Sequence, residues 1–200
     1  MSKVKFRGST LLAPVPPVMV SCGDGEKSNI LTVAWTGILN TIPPKTYISV
    51  RKKRYSHPII TKSGEFVLNL TPASLVRKAD YCGTYTGAKI DKFAACGLTP
   101  TFVEGFRAPL IEECPLSLCC RVCNVVEMGT HDMFVADIEA VYCNEELLDE
   151  QGKLHVERAD LCAYAHGDYY ALGKQLGHFG FSAVKRKKGA APRRPKPKKD

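Results

Sequence analysis

The sequence predicts a mainly β fold, a β-barrel or sandwich with a few peripheral helices. Three observations predict it. Short runs rich in β-branched and aromatic residues recur along the chain, with turn-forming residues between them. Two longer runs, Leu116 to Glu127 and Met133 to Cys143, flank Met128, Gly129 and Thr130 as the arms of a hairpin. Strand-like and helix-like stretches do not alternate, and no G-x-G-x-x-G turn is present, which disfavours a doubly wound parallel sheet.

Taken in order, the short strands are expected at Val18 to Cys22, Ile30 to Thr36, Thr46 to Arg51, Phe66 to Leu70 and Thr99 to Glu104. Ser56 is placed to cap a helix entering His57, Pro58 and Ile59: its hydroxyl can accept from orphan amides, and Pro58 fixes φ in the first turn. A second helix is expected over Ala73 to Tyr81, with Leu75, Val76 and Ala79 on one side and Gly83 at its end. A third is expected over Tyr169 to Leu176, between Gly167 and Gly177. No internal repeat or low-complexity linker divides residues 11 to 184, so the chain reads as one domain, 1–184, followed by a tail.

The tail carries the charge. Of 28 Lys and Arg and 20 Asp and Glu, nine basic and one acidic residue lie at 185–200; 28 less nine and 20 less one leave 19 of each sign in the body. The net +8 therefore does not make the body a nucleic-acid binder. Like charges, three prolines and no large apolar residue predict that 185–200 is disordered, a solubility tail that holds anionic polymers or membranes weakly at most. No apolar run of about 18 residues is present, and Met1 to Thr10 lacks a signal-like apolar core. No membrane span and a cytoplasmic location are the expectations.

The nine cysteines are Cys22, Cys82, Cys96, Cys114, Cys119, Cys120, Cys123, Cys143 and Cys162. An odd number without a signal segment suits free thiols in a reducing compartment. Cys119 and Cys120 are neighbours on a predicted strand and so face opposite ways, which makes one shared metal ion awkward; small buried hydrophobes are the plainer reading, and no metal is expected.

Hydrolase and nucleotide-phosphate templates are missing: no P-loop, no H-E-x-x-H, no G-x-S-x-G. What remains are polar and basic residues at strand ends and in glycine-rich turns. In NILTVAWTG, Asn29 and the sole tryptophan, Trp35, bracket an apolar strand. In ISVRKKRYSHPII, Ser49, Arg51, Arg54 and Ser56 lead from a strand into a helix, where Arg51, Ser56 and free amides can meet an anion; a basic surface loop is the competing reading. In DYCGTYTGAKIDKF, Gly83 and Gly87 can take positive φ, and Lys89 and Lys92 supply charge. His131 follows a turn and opens a strand. Together these types suit a phosphorylated planar cofactor: cations for phosphate, hydroxyls and amides for a polyol, strand edges and an aromatic for a ring.

Five segments, NILTVAWTG, ISVRKKRYSHPIITKSGEFVLNL, DYCGTYTGAKIDKF, GTHDMFVADIEAV and DYYALGKQLGHFGFS, follow one another from about residue 10 to about residue 182. In this order they resemble the flavin reductase-like family, and within it the flavoredoxin branch. The resemblance implies a six-stranded antiparallel split barrel of Greek-key type, a homodimer with one FMN near each subunit interface. It implies that Ala34, Trp35 and Thr36 on one strand and Ser49, Val50 and Arg51 on another line the flavin, largely through backbone. Asn29, Trp35, Lys92 and His131 match flavin-site positions, Ser56 stands where threonine is frequent, and Tyr164 stands where phenylalanine occurs. Cys82, Gly83, Thr84 and Lys89 correspond to a loop beside the cofactor. The implied reaction moves electrons from NADH or NADPH through FMN to an acceptor, with no single catalytic acid assigned and no cysteine required. An FMN carrier reduced by a protein donor, and a binding module that uses the basic tail on anionic polymers, are the alternatives.

Overall fold

The computed structural model describes residues 1–183; the expected basic tail at 185–200 lies outside them. One antiparallel sheet organises the chain. It contains β1 (Val18–Gly23), β2 (Ser28–Val33), β3 (Thr36–Thr41), β4 (Pro44–Arg51), β5 (Glu65–Leu70), β8 (Leu116–Glu127) and β9 (His131–Cys143), in the order β2-β1-β5-β8-β9-β4-β3. Two short ladders sit beside it, β6 (Pro100–Thr101) with β7 (Leu110–Ile111), and β10 (Cys162–Ala165) with β11 (Asp168–Ala171).

The two end strands of this order, β2 and β3, are consecutive in the chain with only Ala34 and Trp35 between them. The run expected as one strand over Ile30 to Thr36 therefore breaks, because it changes partners: Val33 pairs with Val18 of β1, whereas Thr36 pairs with Ile48 of β4. The Trp35 carbonyl accepts from the Ser49 amide at 2.9 Å, while Ala34 falls in neither ladder. Seven strands in place of the expected six follow from this break, since β2 and β3 are two arms of one bent segment that joins the sheet's edges.

Every residue of β1 is buried, because the strand is covered on both faces. Val18, Val20 and Cys22 point into an interior shared with Leu31, Ile48, Val50, Phe66, Leu68 and Phe134. Met19 points outward, under Leu75, Ala79, Cys82 and Phe93. Burying such side chains contributes roughly 1.5–3 kcal/mol each. Helix α1 (Ser56–Ser63) adds Ile59 and Ile60 to the interior and ends at Gly64, whose φ of 70° needs a residue without a Cβ. Helices α2 (Val76–Thr84) and α3 (Lys92–Cys96) cover Met19 and Ile30 from outside; Asp91 caps α3 by accepting from the Ala94 amide at 3.2 Å. Among the described residues no helix is long and apolar enough to cross a membrane.

Cys120 joins the interior and Cys119 the outer cluster with Val67, so these neighbours do face opposite ways. Burial pushes the Cys119 thiol up to about 11 and the Cys22 thiol up to about 12, and all nine cysteines are free.

Four expectations are corrected. The strand over Thr99 to Glu104 is only Pro100–Thr101, since β7 gives it a two-residue partner. The helix over Tyr169 to Leu176 is instead strand β11: His166 and Gly167 adopt φ of 54° and 102°, a hairpin turn that folds Tyr169 back onto Tyr164 with ring centroids 5.2 Å apart. Ser56 lies inside α1 rather than capping it, with Tyr55 at the N-cap. The helix expected over Ala73 to Tyr81 begins as a 3-10 turn, Ala73–Leu75, and then runs as α2 past Gly83.

Candidate functional site

The bend at Ala34 and Trp35, the end of β4 and the last turn of α2 enclose a cleft of about 430 Å³. It gathers Ala34, Trp35, Ser49, Val50, Arg51, Gly83, Thr84, His131 and Tyr164, nine of the expected site residues from five separate stretches of sequence. Thr32, Asp80 and Tyr169 also line it and were not expected. The one available signal was Thr32, a polar residue on the outward side of β2 between the inward Leu31 and Val33; its hydroxyl donates to the Ala79 carbonyl and ties β2 to α2.

A smaller chamber of about 130 Å³ adjoins the cleft, and Asn29, Ser56 and Lys92 line it with Lys53, Arg54 and Gly87. The Asn29 side-chain amide donates to the Ser56 hydroxyl at 2.7 Å, both groups being buried. Gly87 earns its place by proximity: a Cβ there would lie 2.2 Å from Asn29 Oδ1. Neither Gly83 nor Gly87 takes the positive φ expected of it; Gly83 sits within α2, where a Cβ would meet Thr32 Cβ at 3.2 Å.

Arg54 lines both spaces and donates from Nη1 to the Gly83 carbonyl at 2.9 Å. Arg51 lines only the larger one. The anion site expected from Arg51, Ser56 and free helix amides is thus not formed as one unit: the Ser56 hydroxyl faces Asn29, and the His57 amide already bonds the Arg54 carbonyl at 3.0 Å. Lys92, 2 % exposed, donates from Nζ to the carbonyls of Ile30 and Cys82, each at 2.7 Å. Burial lowers its pKa, and the nearby Arg54 charge acts in the same direction. Cys82 and Lys89 line neither space: the Cys82 thiol packs 3.8 Å from that of Cys96, and Lys89 is exposed. Thr36 lies across the bend, in a third compartment of about 500 Å³ that shares Ala34, Trp35 and Tyr164 with the cleft.

His131 opens β9 opposite Arg51, and its Nδ1 lies 2.9 Å from the Thr130 hydroxyl. Burial first, and then the Arg51 charge, hold its pKa below the ordinary histidine value. A lowered histidine pKa means the fold favours neutral imidazole, so this contribution to stability is present above the ordinary value and fades as pH falls through the folded one. In an NMR titration His131 is expected to titrate below about 6.5. Arg51→Gln is expected to move it up only part of the way, because burial remains.

Residues 11–173 match the family model for the flavin reductase like domain. The fold superposes on the flavoredoxin of Desulfovibrio vulgaris (Miyazaki F) with a TM-score of 0.84 and 33 % identity, covering 92 % of this chain and 100 % of that one. A flavoredoxin from Methanosarcina acetivorans gives the same TM-score and coverage at 30 % identity. An FMN reductase (NADH) of Stutzerimonas stutzeri is 28 % identical over 131 residues, 66 % of this chain and 72 % of that protein. The match spans only 64 % and 51 % of the length of uncharacterized relatives from Archaeoglobus fulgidus and Aeropyrum pernix. With the family model spanning the bent sheet and its clefts, and the flavoredoxin folds superposing on it, the chain belongs to the flavin reductase-like family and has its split-barrel fold.

Proposed function

We propose that the chain is an FMN-dependent oxidoreductase that takes electrons from NADH or NADPH and passes them to an acceptor. The observation that carries this is the pairing of a bent, ladder-free backbone at Ala34 with two guanidinium groups, Arg51 and Arg54, along one cleft. The donor set fits FMN. Arg54 and Lys53 at the small chamber supply charge for a phosphate, and Ser49 and Thr84 supply hydroxyls for the ribityl chain. The bend and Trp35 form one wall for the ring, with Tyr164 also at the cleft. Bound FMN supplies the two-electron hydride chemistry. The protein would orient the ring, and Arg51, paired across the ladder with His131, would offer positive charge to the anion that reduction builds. In this reading Asn29, Ser56, Gly83 and Lys92 shape the chambers, while Cys82 and Lys89 stand apart from the cofactor.

We further propose that two copies pair, since Ile38, Leu39 and Ile42 on and just after β3, beside Trp35, are 67 %, 48 % and 90 % exposed. The unit 1–184 is read as the working domain, in the cytoplasm. The similarity to flavoredoxins favours a second reading, an FMN carrier reduced by a protein donor.

The test is the absorption spectrum of protein purified without added flavin, followed by anaerobic titration with NADH, NADPH and a reduced iron–sulfur protein. Bleaching of bound flavin by either nucleotide is expected. Bleaching by the protein donor alone would establish the carrier reading, and a colourless protein that does not take up FMN would overturn both.

A further inference from the structure

The compartment across the bend differs in chemistry from the cleft. About 500 Å³ in volume, it is walled by Trp35, Tyr47, Tyr164 and His166, and among the described residues no Lys, Arg, Asp or Glu lines it. The cleft, by contrast, carries Arg51, Arg54 and Asp80. A dinucleotide brings phosphates that need cations, so its charged part has no counterpart here. A neutral planar molecule does: aromatic faces cover it, while indole N–H, phenol and imidazole groups can donate to oxygens at its edge.

Two of these walls are held in place by neighbours, and a third is set by its backbone. A Cβ on Gly37 would lie 3.3 Å from the Tyr47 ring, so that ring rests against the glycine backbone. Tyr164 is braced edge-on by Tyr169 at 5.2 Å. The backbone at His166 takes a left-handed φ of 54° in the β10–β11 turn, which sets where its exposed side chain leaves the chain. Because Ala34, Trp35 and Tyr164 line both spaces, an occupant here abuts whatever fills the cleft.

We propose that this compartment binds the electron acceptor, and that the acceptor is a neutral quinone. This rests on the FMN reading above, which supplies the reductant. Reduced FMN, when bound, would supply a hydride and solvent a proton, so that two electrons and two hydrogens would convert both ring carbonyls to hydroxyls and the cofactor would be left oxidised. Tyr47 and His166 position the ring by contacts that do not involve the cofactor.

The test uses tetramethyl-1,4-benzoquinone, whose four methyl groups block addition of protein thiols, in equilibrium dialysis against the FMN-loaded protein. Saturable binding is expected, with saturable quenching of Trp35, the sole tryptophan, in parallel. Tyr47→Ala and, separately, His166→Gly, which keeps the left-handed turn, are each expected to weaken binding at least fivefold while FMN retention, read by absorbance on the same samples, is unchanged. Non-saturating uptake, unchanged affinity in a folded variant of either kind, or competitive displacement of the quinone by NAD⁺ would overturn the proposal. A protein that keeps FMN and ignores the quinone sinks only this inference; one that binds the quinone but no FMN sinks the proposed function and leaves the binding compartment standing.

Discussion

Glu65→Ala is expected to destabilise the protein by about 3–5 kcal/mol, the range for breaking a buried ion pair from one side, and toward the lower end of it. Glu65 opens β5 at 1 % exposure and satisfies several donors at once. Its Oε1 accepts from the backbone amides of Arg107 and Ala108, the second at 3.0 Å, and its Oε2 accepts from Arg121 Nη1 at 3.0 Å. Alanine removes the acceptor and leaves those amides under the sheet unpaired. The lower end applies because the Arg121 side chain is 40 % exposed and keeps Glu139 at 3.0 Å, so solvent screens part of the loss. Urea denaturation checks the prediction through a lower midpoint at unchanged slope. FMN retention of the folded fraction is expected to hold, since Glu65 lines none of the three spaces around the bend. A midpoint within error of the parent would show that water or a shifted loop takes over the carboxylate's role.

Lys92→Met is expected to cost about 2–4 kcal/mol of stability, and to loosen FMN as a consequence rather than as a lost contact. Methionine fills the space of the lysine stem but donates nothing, so the carbonyls of Ile30 on β2 and Cys82 on α2 are left without their 2.7 Å partners. Removing a desolvated ammonium offsets part of this loss, which keeps the figure below the sum of two charge-assisted bonds. The two roles of Lys92 separate cleanly by measurement. If it staples α2 to β2, the denaturation midpoint and FMN retention fall together; if it binds phosphate directly, retention falls at a constant midpoint.

How far the sequence revealed the fold depended on whether one face of a segment was dry. The β8–β9 hairpin was legible because a long period-2 pattern ends at Gly129, whose φ of 85° closes the turn. Strand β4 was legible because Thr46, Ile48 and Val50 alternate inward. The break in Ile30 to Thr36 was hidden because apolar residues continue through it: Trp35, Ile38 and Leu39 read as buried strand residues but are exposed once the chain changes partners at Ala34. Tyr169 and Tyr170 misled because a short aromatic run suits helix or strand, and the distant signal was a histidine in a turn normally held by asparagine. The site divided in the same way. Arg51 and His131 stood out as polar residues at strand ends, whereas Asp80 and Tyr169 are ordinary until α2 and β11 bring them within 3.4 Å of each other. Ser56 was expected to accept from helix amides, and nothing local indicates that Asn29, 27 residues earlier, donates to its hydroxyl instead.

The elbow between β2 and β3 has a consequence for experiment and for evolution. Where main-chain groups do the recognising, exchanging one side chain for another leaves them in place, and a scan by alanine passes over Ala34 without registering it. What such a surface cannot absorb is a change of count. One residue inserted or deleted between Val33 and Thr36 would rotate every following amide away from the cavity and slip Thr36 against Ile48. The identity of Ala34 is therefore freer to drift than the length of the segment, while Trp35 beside it answers for its ring.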